Sequence, residues 1–440
     1  MTQNIRSVAI IGGGFSGSML AARLAERGIG STLIDRSGRF GPGLAYSTLL
    51  DDHVLNVSSN RMSAFEGRPD DFVDWLAAHH PDHARPEGFA PRRLYGLYVQ
   101  DRLARVEKAN PGRIERLTGE AVALEGDTVR LADGRSVEAD VVVLATGNPP
   151  PATAVAGPAD RVIRDPWAEG ALDRIGPKDD VIFIGSGLTM VDMVLGLLAR
   201  GWRGSAVALS RRGLEPRAHA DRHDAAVRPT AGLIGGALSA RLAEGRRLAG
   251  AKGWRGVMEG LRPLIADLWV EADPATRARF VRHLRPWWDA HRHRIAGSVA
   301  ARLEQLKADG RLTVVSGRAA WIEAQPDGVA LEWTPRGGGA RAPLTGRWLI
   351  DCSGPGYDPA ADPLTAPLVA SGRARLDPIG LGLELDATGR VLHADGAPDP
   401  RLFMLGPPAR AAFWETTAVP DIRKRLEDVA AAVADAPYRT

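Results

Sequence analysis

Two glycine-rich runs hold the residues best suited to chemistry in this chain of 440 residues. The first reads Val8-Ala9-Ile10-Ile11-Gly12-Gly13-Gly14-Phe15-Ser16-Gly17. Gly12, Gly14 and Gly17 keep the G-x-G-x-x-G spacing of a dinucleotide-binding turn. In that spacing the first glycine permits a tight turn, the second lets the backbone approach a pyrophosphate, and the third lets a helix pack on the sheet. The helix start, with Phe15 and Ser16, presents free N–H groups to the phosphates. Asp35, followed by Arg36, ends the next strand, Thr32-Leu33-Ile34-Asp35, where an acid takes ribose hydroxyls.

The second run reads Val181-Ile182-Phe183-Ile184-Gly185-Ser186-Gly187-Leu188-Thr189-Met190. Met190 stands at the third glycine position, but the turn at Gly185 and Gly187 and the anion site before Leu188 and Thr189 are kept. Its next strand, Ala206-Val207-Ala208-Leu209, ends in Ser210-Arg211-Arg212, with no acid. Two guanidiniums there suit a 2′-phosphate, which favours NADPH over NADH; the alternative is a pair of solvated surface arginines. Two dinucleotide sites in one chain point to electron transfer between them.

Each loop needs a strand before it and a helix behind it, and the chain supplies that series twice. The first loop is followed by alternating strands from Arg113 to Leu131 and the return strand Val141-Val142-Val143-Leu144, ending in Ala145-Thr146-Gly147. The second is followed by Arg311 to Trp333 and the return strand Trp348-Leu349-Ile350-Asp351, ending in Cys352-Ser353-Gly354. This order predicts an α/β fold of two Rossmann-like dinucleotide-binding domains with β-meanders and a helical insertion in the second. The expected boundaries are 1–155 for the first part of domain one, 156–354 for domain two with its insertion at about 215–310, and 355–440 for the closing part of domain one. Pro149-Pro150-Pro151 reads as a hinge. Helices are expected over Ala275–Trp288 and Ile295–Ala308. The closing part reads as a hairpin (Leu383–Asp386 with Arg390–Leu392), the strand Leu402–Leu405 ended by Gly406, and a last helix from about Ala418 to Ala434. Thr416 or Thr417 would cap that helix, with Pro420 in its first turn.

Further candidates lie around these loops. Thr146 and Gly147 end a strand on the side where open parallel sheets bind ligands; a plain tight turn is the alternative. Asn56, Ser58 and Asn60 follow the first crossover, and an Asn amide there could serve catalysis; turn-forming polar residues are the alternative. Arg282, His283, Arg285, His291, Arg292, His293 and Arg294 make the insertion basic, which fits an anionic substrate or else a solvated helix face packed by Trp287 and Trp288. His291 and His293 are two apart and do not share a helix face, so no metal is expected.

Composition narrows the field. The chain is 44% hydrophobic and 25% charged, with a net charge of +3, so no nucleic acid partner is implied. Cys352 is the single cysteine, which excludes a disulfide framework and a Cys-x-x-Cys dithiol. No apolar stretch is long enough to span a bilayer, and a cytoplasmic protein is expected, of open oligomeric state.

The residues then resemble a family. Gly41-Pro42-Gly43-Leu44-Ala45-Tyr46-Ser47-Thr48, His53-Val54-Leu55-Asn56-Val57, Arg61-Met62-Ser63-Ala64-Phe65, Pro91-Arg92-Arg93-Leu94-Tyr95-Gly96, Arg282 to Asp289, Leu405-Gly406-Pro407-Pro408 and Phe413 to Pro420 are similar to bacterial FAD/NAD(P)-binding proteins. Those proteins are related to class B flavin-dependent monooxygenases such as lysine and ornithine N-hydroxylases. Asp140 to Gly147 resembles the D-x-x-x-L-A-T-G pattern of that class, with Asn148 where Tyr usually follows. The F-x-G-x-x-x-H fingerprint is missing, and Gly406-Pro407 replaces the Gly-Asp of disulfide reductases.

The resemblance implies FAD in the first domain, with Ala45 and Asn56 among its contacts and the C-terminal element against the flavin, and NADPH in the second. It further implies a monooxygenase that uses molecular oxygen through a flavin C4a-hydroperoxide. Its substrate would be a small, anionic or amine-bearing metabolite, with Asn56 and Asn60 as catalytic candidates. An NAD(P)H-dependent flavin oxidoreductase without oxygen insertion and a non-catalytic flavin redox sensor are the alternatives.

Overall fold

The computed structural model describes residues 7–149, 151, 157, 160–220, 225–339, 341–356 and 358–436. Ser7–Ile11 forms a central strand of a six-stranded sheet, whose order by residue is 390–392, 398–404, 141–144, 7–11, 30–35, 114–118. All neighbours run parallel except the edge strand 390–392. The central strands are continuous apolar runs because both faces of this sheet are covered. Helices Phe15–Glu26, Arg92–Ala109 and Val419–Ala434 bury Met19, Leu24, Tyr95, Tyr98 and Leu426 on one face. A separate meander of 121–125, 128–131 and 136–138 covers the other, with Leu124 and Val129 packed on Ile11 and Val142.

The second sheet has seven strands in the order 344–346, 328–335, 312–325, 206–210, 181–184, 348–351, 162–163. Its last five are parallel. Here one strand, Leu312–Gln325, serves both as a parallel neighbour of Ala206–Ser210 and as the first arm of the meander. In the first unit those roles are split between Ile114–Thr118 and Ala121–Glu125. The central registers agree: Ile11 faces Ile34 and Leu144, while Ile184 faces Leu209 and Asp351. Gly12, Asp35 and Ala145 therefore correspond to Gly185, Ser210 and Cys352. Pro151 pairs with Pro355, so the outgoing and returning chains run side by side; Pro150 lies outside the described residues.

Two local expectations change. The helix expected over Ala275–Trp288 is broken into Pro274–Arg279, a π turn Phe280–Leu284, and Arg285–Arg292. Pro286 has no N–H to return to the preceding turn, which forces the irregular step. The last helix, Val419–Ala434, opens at Ala418 with no side-chain cap, so neither Thr416 nor Thr417 caps it. Their amides bond back to Phe413 and Glu415 in the preceding turn, and Pro420 alone holds its expected place. The expected hairpin forms: Leu385 bridges Val391, the Asp386 N–H reaches Arg390 O and the Leu392 N–H reaches Glu384 O, both at 2.9 Å, and Arg390–Leu392 also pairs with Pro398–Met404.

Candidate functional site

At the first loop the backbone leaves no room for side chains. Gly12 has φ +111°, and a Cβ there would lie 2.2 Å from the Ala145 carbonyl oxygen. A Cβ on Gly17 would lie 1.9 Å from the Gly12 oxygen. Gly43, at φ +55°, presses its backbone on Gly14, which brings the Gly43–Tyr46 turn and Ala45 to the loop. The helix that starts at Phe15 has no side-chain cap, so the amides of its first turn are left for an anion. Asp35 accepts the Gly13 N–H at 2.8 Å through one oxygen and the Ser37 N–H and hydroxyl through the other. The carboxylate thus fixes the loop and keeps a lone pair on Oδ2 for a further donor. Arg36 is exposed, 3.9 Å from Glu120.

Thr146 sits beside Gly12, with its Cα 3.1 Å from a Cβ placed there, and Gly147 follows at φ +76°. Gly406 closes on the same loop from the C-terminal part: at φ +78°, a Cβ would lie 2.5 Å from Ser16 Oγ. Gly12, Gly14, Phe15, Ser16, Gly17, Asp35, Ala45, Thr146 and Gly406 are thus gathered at one end of the first sheet.

The second loop repeats this geometry. Gly185 has φ +107°, and its Cβ would lie 2.2 Å from the Cys352 oxygen. The helix Leu188–Ala199 is likewise uncapped by any side chain. Where Asp35 stands in the first unit, Ser210 takes the Ser186 hydroxyl at 2.7 Å and the Gly213 N–H at 3.0 Å. Arg211 is exposed, Arg212 half-buried, and neither forms an ion pair among the described residues. A cavity of about 300 Å³ opens at the neighbouring strand, lined by Ser316, Trp333, Arg336 and Arg341 among others. Ser316 is the register partner of Ser210. The sequence reading missed these hairpin residues, since Arg336 to Arg341 reads only as a Gly-rich turn. Cys352 is buried and its thiol is pushed well up by burial, so it is no thiolate.

The two units grip one another near these loops. Arg92 makes a bidentate pair with Asp192, at 2.8 and 2.9 Å, on the helix after the second loop. His53 donates from Nε2 to the Asp192 carbonyl at 2.9 Å. Asn56 accepts from His219 Nε2 through its backbone oxygen, and Asn60 Oδ1 accepts from Ser58. The insertion leans on the segment before the last helix: Trp269 packs on Trp414 at 4.7 Å, and Trp288 Nε1 donates to Glu415 at 2.8 Å. Thr416 and Thr417 lie in that braced segment. Arg282 and His283 stay exposed, while Arg292 and Arg294 are buried.

Residues 9–149 match a family model described as FAD-NAD(P)-binding. No curated protein sequence matches the chain. Over its whole length the chain has the two-domain fold of known flavoenzymes. One is an ornithine N-hydroxylase from Kutzneria sp. 744, at a TM-score of 0.67 and 16% identity, covering 98% of this chain and 99% of that one. Another is the L-lysine 6-monooxygenase of Pseudomonas syringae, at 0.65 and 18%, with 98% and 99% covered. A third is the cadaverine monooxygenase of Erwinia amylovora, solved bound to FAD, at 0.67 and 14%, with 99% and 97% covered. At these identities the likeness is one of fold. No described helix is long and apolar enough to cross a membrane.

Proposed function

We propose that this chain is an FAD-dependent, NADPH-using monooxygenase of a small metabolite. The observation that carries this reading is the pair of matched, uncapped glycine loops with opposite chemistry at the equivalent strand end. Asp35 suits ribose hydroxyls in the first, and Ser210-Arg211-Arg212 suits a 2′-phosphate in the second. The steric cradles at Gly12 and Gly185 fit a pyrophosphate that must approach backbone.

FAD, when bound, would supply the two-electron chemistry that couples NADPH to O2, one oxygen atom entering the substrate and the other leaving as water. Overall, substrate, O2, NADPH and a proton give oxygenated substrate, water and NADP+. The chain's own part is to hold and orient. Phe15, Ser16 and Gly17 amides hold one pyrophosphate, with Ala45, Asn56, Thr146, Gly147, Gly406, Thr416 and Thr417 lining the same unit. Leu188 and Thr189 amides hold the other. Ser58 occupies Oδ1 of Asn60, which leaves the Nδ2 hydrogens to steady a carbonyl or an oxygen atom of the reacting partners.

Anaerobic mixing of the yellow holoprotein with NADPH tests the reading. Fast bleaching, then oxygen consumption that yields oxygenated product in place of hydrogen peroxide, is the expected result. Bleaching with peroxide as the only product for every substrate tried would leave a plain oxidoreductase. No bleaching would leave a sensor, and a colourless protein that cannot be reconstituted with FAD would end the reading.

A further inference from the structure

The seam between the insertion and the first unit is crowded with guanidinium groups. Arg61, from the turn Ser59–Arg61, converges with Arg262 and Arg294 on the single carboxylate of Glu259. Arg61 lies 3.2 Å from it, Arg262 3.9 Å, and Arg294 touches it. Arg292 takes Glu415 and Asp421 at 3.3 and 3.5 Å. Arg255 lies over Trp254, with Arg294 near the same ring. Four guanidiniums (Arg61, Arg262, Arg292, Arg294) thus meet three carboxylates (Glu259, Glu415, Asp421), with Arg255 beside them donating to Ala218 O, and Arg292 and Arg294 are only 7% and 6% exposed.

Several donors in this seam have no partner. Arg255 Nε, Arg262 Nη2, Arg292 Nε and Nη2 and Arg294 Nε are buried and make no hydrogen bond, and neither do the facing oxygens Glu415 Oε2 and Asp421 Oδ2. A buried guanidinium N–H without an acceptor is costly, and an excess of buried positive charge is more so. Burial, then Arg292 and Arg61, push Arg262 down to about 10. Burial would raise Glu259, yet its hydrogen bond to Arg294 and the charges of Arg61, Arg294 and Arg262 hold it down to about 2. The seam also adjoins the Asn56–Asn60 loop, because Arg61 follows that loop directly in sequence.

We propose that this seam binds an oxyanion group of the substrate, so that the substrate is a small metabolite bearing carboxylate or phosphate. A diamine would bring positive charge to a place that already has too much, which sets this chain apart from the cadaverine monooxygenase with the same fold. That the bound anion is the substrate rests on the monooxygenase reading; the anion site itself does not.

The test follows melting of the flavin-loaded protein in succinate, inorganic phosphate or cadaverine, at ionic strength balanced with chloride. A saturable rise with succinate or phosphate, absent with chloride and cadaverine, is expected, and the stronger of the two names carboxylate or phosphate. In Arg61→Gln and Arg262→Gln the apparent affinity should fall about tenfold or more. Arg61 is partly exposed, so its variant should fold even where Arg262→Gln does not. NADPH oxidation should be stimulated by the same anion. No rise with either anion, an equal rise with chloride, affinity unchanged in Arg61→Gln, or stimulation by cadaverine alone would overturn the proposal. If the anion response and its loss in Arg61→Gln persist while NADPH is never oxidised, the anion site stands and the monooxygenase reading fails.

Discussion

The first and second glycine loops share a frame and differ in what that frame presents. Gly12 meets the Ala145 carbonyl as Gly185 meets the Cys352 carbonyl, with the same 2.2 Å clearance for a Cβ. The adjoining backbone bonds also match: the Gly12 N–H reaches Ile34 O and the Gly185 N–H reaches Leu209 O, both at 2.8 Å. Two of the differences bear directly on a bound dinucleotide. A carboxylate ends the neighbouring strand in the first unit, and a hydroxyl with two arginines ends it in the second. Gly17 lets its helix touch the loop, whereas Met190, fully buried at the equivalent position, fills that space with core. In the proposed function, backbone geometry would make both loops anion sites, and a few side chains at the strand end would decide which dinucleotide each one takes.

The largest test of that comparison is to fill each cradle. Gly12→Ala and Gly185→Ala each combine a positive φ with a backbone clash, at a cost of about 4 kcal/mol or more locally. Gly12→Ala should emerge without flavin. Gly185→Ala should keep its yellow colour and fail to be bleached by NADPH. Absorbance after desalting and anaerobic reduction read the two results, and loss of flavin from both variants would break the claim of separate sites.

The contact between the units is the next largest. Asp192 and Arg92 are both nearly buried, so Asp192→Ala strands a guanidinium and should cost about 3–5 kcal/mol in a melting experiment. Asp192→Leu with Arg92→Met should recover much of the loss. His53 adds a pH dependence. Its Nε2–H donates to Asp192 and its Nδ1 accepts from Thr48 at 2.8 Å, so the neutral ring fits. Burial pushes its pKa below the usual value, against the pull of Asp192. The unfolded chain therefore takes the proton first as pH falls. Stability from this site is complete above about pH 6.5 and declines below it. A His53→Gln variant should flatten that decline.

These tests separate what the sequence made legible from what it did not. The glycine spacing, the strands around it and the duplicated order were readable because each is a local pattern of residue types. The insertion's breaks were not, because Pro286 marks where a helix is disturbed but not whether the surrounding packing continues it beyond a π turn. The Thr416 and Thr417 cap failed for a related reason: both amides are drawn into the preceding turn, to Phe413 and Glu415, and Ala418 stands at the cap position. The Arg92 and Asp192 pair, 100 residues apart, and the convergence of Arg61, Arg262 and Arg294 on Glu259 carry no local signature at all.

A smaller effect sharpens coenzyme choice. Arg211→Ala with Arg212→Ala should lower the NADPH over NADH ratio of kcat/KM by about 10- to 100-fold, the equivalent of one or two charge-assisted bonds. If the ratio stays unchanged, Arg336 and Arg341, which line the cavity at the neighbouring strand, are the next candidates for the phosphate. Ser210→Asp copies Asp35 into the second unit, and NADH use should rise in absolute terms. No gain with NADH would mean that the strand-end residue alone does not set the choice.

The smallest expected effect comes from making the two loops more alike. Cys352 occupies the position that Ala145 holds in the first unit, and only its carbonyl meets the glycine. Its thiol is buried, raised well above the usual thiol value by burial, and the chain has no second cysteine to exchange with. Cys352→Ala removes one small buried atom and should cost about 1 kcal/mol of stability. Flavin reduction by NADPH should proceed at the parent rate, read by stopped-flow absorbance. A large loss of reduction in a variant that melts normally would show the sulfur acting in electron transfer, and the two loops would then differ in chemistry as well as in the dinucleotide they hold.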